Sequence, residues 1–194
     1  GRRFVLLHGG QLAHRPSART LLEAARAVIA SDPRAADDLT IRFLGGNEEL
    51  RPKEWESLGL ASVVETAPSL PHIEALAAMR GAGALVLLGH GGQADSLLYT
   101  GKVYEYLTSG RPVLGLVDPG PAADLIRDSG AGEVRAADDA KGAAQVLRAW
   151  LDSWRRGVEI PARAPEEMVR SWDRARTAGA AANLLTSLAE PVQT

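Results

Sequence analysis

The sequence predicts an α/β domain built on a doubly wound, Rossmann-like parallel sheet of about six strands, with helices on both faces and a C-terminal helical arm. Short apolar runs alternate with segments of helical periodicity along the 194 residues. The run over 84–88 is apolar at every position, which is typical of a parallel strand buried on both faces. Glycine-rich loops follow several of the runs, and doubly wound sheets bind their ligands at such strand ends.

Composition and charge exclude several classes of protein and of functional site. Hydrophobic residues make up 45% of the chain and charged residues 24%, as in ordinary globular domains. The 22 basic and 24 acidic residues give a net charge of −2, so no nucleic-acid-binding surface is predicted. The absence of cysteine excludes disulfides, thiolate metal sites and cysteine nucleophiles. No apolar run approaches the ~20 residues that a membrane-spanning helix needs.

The first half of the chain alternates strands with helices. The apolar run 4–8 predicts a strand that ends at a glycine pair, and apolar residues at helical spacing over 17–30 predict a helix. A second strand is predicted over 39–44, and two glycines follow it as well. A short helix over 51–58 and a short third strand over 62–65 complete this half.

The second half repeats the alternation. A helix predicted over 73–80 leads into the buried fourth strand, 84–88. A helix over 102–108 and a fifth apolar strand over 113–117 follow, with glycine and proline between them. The segment 121–129 begins with proline, which is favoured at the first position of a helix, so a further helix is predicted there.

A short edge strand and one more helix are predicted to end the domain. The edge strand covers 132–134, and the helix begins at a cap formed by Asp138 or Asp139, after which apolar residues recur at helical spacing. We expect the whole α/β domain to span residues 1–160.

The last segment, 161–194, is predicted to be a linker followed by a crossing helix. Proline at both ends of 161–165 disfavours helix in the residue before each. Apolar residues over 166–188 then recur at helical spacing, so this arm has a face that needs a surface to pack on. Because the chain begins at Gly1, directly before a strand, we also expect a piece of a larger protein.

The loop after the first strand carries groups suited to an anion. Gly9 and Gly10 let the backbone approach a ligand closely, and the following helix presents its amino end. Arg15 would add a bidentate contact to a phosphate. The spacing differs from Gly-x-Gly-x-x-Gly, so the dinucleotide fingerprint is absent. An ordinary turn with a surface arginine is the alternative interpretation.

A second candidate site lies between the fourth and fifth strands. Thr100 and Gly101 stand at the start of the predicted helix, where free N–H groups can bind a ligand. Lys102 in the first turn opposes the helix dipole unless an anion lies beside it. Glu105 lies three residues further on the same face, where its carboxylate could accept hydrogen bonds from two ribose hydroxyls. The alternative for both charged residues is an ion pair on a solvated face.

Residues 100–114 read Thr-Gly-Lys-Val-Tyr-Glu-Tyr-Leu-Thr-Ser-Gly-Arg-Pro-Val-Leu. This stretch resembles the motif Pro-(Ser/Thr)-Lys-x-(Tyr/Phe)-Glu-Tyr-Leu-Ala-(Ser/Ala)-Gly-(Arg/Lys)-Pro-Val-Leu of retaining, GT-B-fold glycosyltransferases of the family 4 type. Weaker similarities over 4–25, 41–46 and 122–132 extend the resemblance over most of the chain. The C-terminal arm resembles the family's helix that crosses back to the first domain.

The resemblance implies the donor-binding domain of an enzyme that transfers a sugar from a nucleoside diphosphate sugar, such as a UDP- or GDP-sugar, to an acceptor. Glu105 would hold the ribose hydroxyls. Lys102, Thr100 and Gly101 would lie near the diphosphate or the sugar. The acceptor would bind an N-terminal domain absent from this chain, so the chain alone would bind the donor and transfer little or no sugar. We expect a cytoplasmic protein, which could be peripheral to the membrane through that missing domain.

The other side of the ligand is assigned from the same resemblance. Gly10 and Arg15, with Gly9 beside them, would face the diphosphate, and the segment 67–72 would flank the base. His90, in the loop after the fourth strand, would lie near the sugar. No catalytic residue and no cofactor beyond the donor are assigned. No metal site is predicted either, because no histidine has a second ligand at metal spacing.

Two positions leave questions open. Many relatives carry the first glutamate of a Glu-x7-Glu pair where this chain has Leu97, so the residue that holds the sugar hydroxyls is not identified. His8, at the end of the first strand, is equally consistent with a hydrogen-bonded core residue and with one that lines the donor cleft.

Two other functional classes remain open. A non-hydrolysing sugar-nucleotide epimerase shares the two-domain fold, but it would need more catalytic carboxylates and histidines in the cleft than the sequence offers. A flavodoxin-like or receiver-like nucleotide-binding module is the other class. A receiver needs an acidic cluster after its first strand, where this chain has Gly9, Gly10 and Gln11. Neither class requires Lys102 and Glu105 on one helix.

Overall fold

The computed structural model describes residues 3–10, 12, 16–45, 55–96, 101–172, 178, 179 and 182. The strands in these ranges are β1 (Phe4–Gly9), β2 (Leu39–Leu44), β3 (Val64–Ala67), β4 (Ala84–Leu88), β5 (Val113–Leu116) and β6 (Gly132–Arg135). They form one sheet in the order β3-β2-β1-β4-β5-β6, and every neighbouring pair is parallel. The predicted doubly wound parallel sheet is therefore confirmed, in the Rossmann strand order rather than the flavodoxin order.

Helices connect these strands. Those in the described ranges are α1 (Pro16–Ser31), α2 (Ala35–Asp38), α3 (His72–Gly81), α4 (Gln93–Ser96), α5 (Gly101–Thr108), α6 (Pro121–Ser129), α7 (Ala140–Arg155) and α8 (Glu166–Ser171). Of the helix predicted over 51–58, residues 51–54 lie outside the described residues. The part that is described shows helical residues at 55–56, and a turn follows that ends at Gly59 with φ 73°.

The sheet buries both of its faces, which explains the continuous apolar run of β4. On one face, Leu6, Ile41, Val86 and Leu114 belong to a core cluster with α1 and α7, to which α7 contributes Leu147. In the parallel register Leu6 lies beside Ile41 and Val86 lies beside Leu114, and these apolar residues cover one face of the sheet.

The opposite face has its own core cluster. Leu7, Leu85 and Val113 point to this side and pack with Met79 of α3 and Val103 of α5, and α6 adds further apolar side chains. Two helical layers therefore enclose the sheet, and its carboxyl edge is left as the place where loops from several strands meet.

The third strand lies two residues later in the chain than predicted. The predicted span was 62–65, whereas the structure has Val64–Ala67. The N–H groups of Val63 and Val64 both donate to the carbonyl oxygen of Leu60, so a turn occupies the start of the predicted strand. Pairing with β2 then begins at Val64, which lies opposite Ile41.

The C-terminal arm begins on the surface of the domain. After α7, Ala162 and Ala164 of the predicted linker are buried, and α8 follows. The ring of Trp172 then lies 5.1 Å from the ring of Tyr104 on α5, at an interplanar angle of 71°. This edge-to-face contact is a favourable aromatic geometry. Most of the helix predicted up to residue 188 lies outside the described residues.

An ion-pair cluster joins α7 to the turn between α1 and α2. The guanidinium of Arg155 donates to Asp32 at 2.5 Å and to Asp38 at 2.8 Å. The hydrogen bond from Arg155 lowers the pKa of Asp32 below its usual value of 3.8, and the positive charge of Arg155 adds to this effect. The Arg155–Asp32 pair therefore stabilises the fold only while Asp32 is ionised.

Replacing Asp32 by asparagine should lower the melting temperature at neutral pH. Because folding depresses the pKa of Asp32, its contribution is present above 3.8 and is lost as the pH falls through the lower folded-state value. Thermal unfolding over a pH series should show the difference between wild type and Asp32→Asn shrinking in acid. Asp37→Asn, at an exposed neighbour on α2, is the matched control. A difference that does not vary with pH would contradict this account of the cluster.

Candidate functional site

A cleft of about 270 Å³ opens at the carboxyl ends of β1 and β2. The backbone after these two strands forms one side, and helices α3 and α5 form the other. The residues that line it are Gly9, Gly10, Leu44, Gly45, Ser69, Leu70, His72, Ala75, Met79, Lys102 and Glu105. The structure thus brings four of the predicted site residues together: Gly9, Gly10, Lys102 and Glu105.

Another cavity, of about 170 Å³, lies at the opposite end of the sheet. Phe4, Gly83 and Pro112 line it, and these residues open or precede strands rather than follow them. Doubly wound sheets bind ligands at the carboxyl ends of their strands. Because this cavity also contains none of the predicted site residues, we assign the candidate site to the cleft at the carboxyl edge.

The floor of the cleft is backbone that only glycine can form. Gly10 has φ 125° and Gly45 has φ 110°, both in the region that disfavours side chains. The N–H of Gly10 donates to the carbonyl oxygen of Leu44 at 2.6 Å, which joins the ends of β1 and β2. A Cβ on Gly10 would overlap the ammonium group of Lys102. Gly10 therefore leaves room at the floor of the cleft for the ammonium group of Lys102.

Helix α5 is fastened to the end of β1 by two side chains. The ammonium group of Lys102 donates to the carbonyl oxygen of Gly9. The N–H of Gly9 donates to the hydroxyl of Tyr106 at 2.8 Å, and Tyr106 is fully buried. Tyr106 was not singled out in the sequence. Its position four residues after Lys102, on the same helix face, was the available signal.

Lys102 and Glu105 place opposite charges on one wall of the cleft. Both side chains line it and both are partly exposed. The ammonium group of Lys102 reaches a carbonyl 93 positions away in the chain. A solvated surface ion pair, the alternative interpretation from the sequence, does not account for this contact. The wall offers a cation and an acceptor-only carboxylate to a ligand that has both phosphates and hydroxyls.

The segment predicted to flank a base lies at the mouth of the cleft. Ser69, Leu70 and His72 line it, and His72 is the first residue of α3, one residue before the predicted start of that helix. Leu70 is 37% exposed and Ile73 is 81% exposed. The rim therefore presents the apolar side chain of Leu70 beside two polar residues, whereas the floor presents backbone and the α5 wall presents charge.

The loop after β4 is ordered by a buried carboxylate that the sequence analysis passed over. Asp95 on α4 is 1% exposed. It accepts hydrogen bonds from the N–H groups of His90 at 2.7 Å, Gly91 at 3.2 Å and Asp118 at 2.8 Å. The short helix α4 was not predicted from the sequence. A lone aspartate after two glycines gave no local sign of its burial.

Asp118 extends this network to the next strand ends. Its carboxylate accepts from the N–H of Gly92 at 2.5 Å and from the N–H of Ala137 at 3.0 Å. The loops after β4, β5 and β6 are thereby tied to one another. His90 belongs to this group of loops and is not among the described residues that line the cleft.

None of the remaining candidate residues is among the described residues that line the cleft. Gly101 is the exposed first residue of α5 and is not among the lining residues, while Arg15 and Thr100 lie outside the described residues. His8 is a buried residue whose Nδ1 lies 3.0 Å from the carbonyl oxygen of Val86. Because a carbonyl only accepts, Nδ1 carries the proton, and His8 is the hydrogen-bonded core residue of the two alternatives.

Within the described ranges, no group of three or more histidine, aspartate or glutamate side chains is arranged to hold a metal ion. None of the described helices combines the length and the hydropathy needed to cross a membrane.

Strand order, helical layers and the cleft at the carboxyl edge define a Rossmann-like α/β domain. No family model and no curated protein matches the sequence, whereas solved structures do. WaaG, a glycosyltransferase involved in lipopolysaccharide biosynthesis, is 22% identical with a TM-score of 0.58. The match covers 78% of this chain and 38% of WaaG.

Two further structures extend the comparison. A TarM variant from S. aureus, solved with UDP, is 16% identical with a TM-score of 0.59, over 77% of this chain and 29% of TarM. A putative UDP-N-acetylglucosamine 2-epimerase from Listeria monocytogenes is 15% identical with a TM-score of 0.56, over 80% of this chain and 38% of the epimerase. The chain spans between 29% and 38% of the length of these three proteins. At such identities the likeness shows the fold.

Proposed function

We propose that this chain is the donor-binding domain of a retaining glycosyltransferase of the family 4 type and binds a nucleoside diphosphate sugar in the cleft. One observation carries the proposal: helix α5 sets the ammonium group of Lys102 and the carboxylate of Glu105 on the same cleft as the glycine floor. The acceptor would bind a preceding domain, and the whole enzyme would work in the cytoplasm or at the membrane surface.

The chemistry of the cleft suits each part of such a ligand. The diphosphate would lie over Gly9 and Gly10, within reach of Lys102, whose positive charge would stabilise the departing diphosphate. The ribose hydroxyls would donate to Glu105. The base would pack against the apolar rim at Leu70. The resemblance of residues 100–114 to the glycosyltransferase motif supports the same arrangement.

Calorimetric titration with UDP, GDP, TDP and ADP tests the proposal directly. We expect one diphosphate to bind with a saturable heat, while inorganic pyrophosphate binds more weakly because it lacks the base and the ribose. UDP is the first to try, because the TarM structure contains it. If none of the four diphosphates binds, the assignment of this cleft to a nucleotide sugar is wrong.

The epimerase remains the second candidate, because the Listeria protein shares the fold. The two reactions differ in what happens to the donor. An epimerase would invert C2 of UDP-N-acetylglucosamine and take up deuterium there from D2O, with the bond to UDP restored. A transferase releases UDP when an acceptor is present. Incubation in D2O followed by NMR separates the two, and deuterium at C2 would favour the epimerase.

A further inference from the structure

Tyr106 is a fully buried tyrosine whose hydroxyl reaches the floor of the cleft. Its ring belongs to the core cluster that includes Leu7 and Met79. The hydroxyl accepts a hydrogen bond from the N–H of Gly9 at 2.8 Å and lies 3.4 Å from the carbonyl oxygen of Gly9, to which it can donate. A buried phenol needs such partners, and here a single glycine supplies both.

The geometry of the sheet explains why Gly9 needs this partner. Successive residues of a strand direct their backbone groups to alternate sides, and the N–H of Gly10 donates to Leu44 of β2. The backbone groups of Gly9 therefore face the β4 side. The pairing of β1 with β4 involves Leu6 and Leu7, so it stops short of Gly9. The hydroxyl of Tyr106 accepts from the N–H of Gly9 at the position where a residue of β4 would otherwise accept.

Lys102 supplies the second contact to Gly9, through the carbonyl oxygen. A ligand can reach the first contact but not the second, because Lys102 is partly exposed at the cleft whereas Tyr106 is buried in the core. A phosphate in the cleft would compete for the ammonium group of Lys102. The hydroxyl of Tyr106 would still hold Gly9, and with it the left-handed conformation of Gly10.

We infer that Tyr106 is a positioning residue of the cleft: its hydroxyl fixes the Gly9–Gly10 turn against which the diphosphate of the ligand lies. This inference rests on the proposed function. It assigns Tyr106 no contact with the ligand. The effect of its hydroxyl is confined to the part of the site where phosphate binds. The apolar side chains of α5 in the core, among them Val103 and Leu107, keep the helix and with it Glu105 in place. The rim at 67–72 belongs to other elements.

The test is Tyr106→Phe, which keeps the ring in the core and removes the hydroxyl. UDP binding should weaken about five- to tenfold, the effect of one neutral hydrogen bond. Binding of uridine, followed by NMR titration, should change less than about twofold, because the base and ribose contacts are intact. Tyr104→Phe on the same helix is the matched control and should leave both affinities unchanged. If the wild type binds another nucleoside diphosphate instead of UDP, the same experiment uses that diphosphate and its nucleoside in place of UDP and uridine.

Each outcome decides between distinct conclusions. Unchanged UDP binding in Tyr106→Phe, or an equal loss for UDP and uridine, would overturn the positioning role while the proposed function stands. Absence of nucleotide binding by the wild type would overturn the proposed function and this inference with it. If Tyr106→Phe does not fold, amide hydrogen exchange of the wild type is the second measurement. The N–H of Gly9 should be protected from exchange both without and with UDP, because the hydroxyl of Tyr106 accepts its hydrogen bond, and an unprotected N–H would refute the inference.

Discussion

Replacing Glu105 by alanine should weaken nucleotide diphosphate binding by ~1–3 kcal/mol, because the ribose hydroxyls lose their charge-assisted hydrogen bonds. The side chain lines the cleft and is partly exposed, so folding does not depend on it. The melting temperature should therefore barely move. Calorimetric titration of the diphosphate that the wild type binds, alongside thermal unfolding, measures both quantities.

Two further variants make this result specific. Glu74→Ala removes an exposed glutamate from the neighbouring helix α3 that is not among the lining residues, so it reports the effect of net charge alone. Glu105→Gln keeps one acceptor oxygen and should fall between wild type and Glu105→Ala. A large loss of stability with unchanged binding would show that Glu105 has a structural role instead.

Replacing Asp95 by alanine should destabilise the folded chain by ~3–5 kcal/mol. The carboxylate accepts from three backbone N–H groups, those of His90, Gly91 and Asp118, and the alanine variant leaves these donors without an acceptor. Hydrogen bonds to a charged group are individually strong, and partly buried donors that lose their acceptor add part of their desolvation cost. Chemical denaturation, with the midpoint and slope both fitted, gives the change in the free energy of unfolding.

The matched control for this experiment is Asp138→Ala. Asp138 is an exposed aspartate close to the same edge of the sheet, and the helix cap that the sequence left between two aspartates is Asp139, which accepts from the N–H of Gly142 at 2.7 Å. The Asp138 variant should unfold within about 0.5 kcal/mol of wild type. Equal losses in the two variants would mean that the network around Asp95 contributes no special stability.

The elements that were predicted correctly are those that a short stretch of sequence is enough to identify. The strand Ala84–Leu88 was recognisable because burial on both faces needs an unbroken apolar run. The helix Pro121–Ser129 was marked by proline at its start and Gly130 after its end. The third strand was misplaced because a turn closed by the carbonyl oxygen of Leu60 delays the start of strand pairing. The pattern of apolar residues does not reveal such a turn.

The candidate site was predictable in part for the same reason. Helical spacing places Lys102 and Glu105 on one face from sequence alone. The contact of Lys102 with Gly9, and that of Tyr106 with the same residue, depend on how β1 and α5 meet in space, which no local pattern reports. Arg15 and Thr100 lie outside the described residues, so their roles stay predictions.

The hydrogen bonds of Asp95 and Asp118 to the loop after β4 affect where an anion can bind. A phosphate nest needs backbone N–H groups that point outward and have no other acceptor. At His90, Gly91 and Gly92 these groups are already directed into carboxylates of the chain itself. Residues 90–92 are therefore preorganised without ligand, and recognition at these residues falls to side chains and carbonyl oxygens. The negative charge of a donor would accordingly gather on the Gly10 side of the cleft.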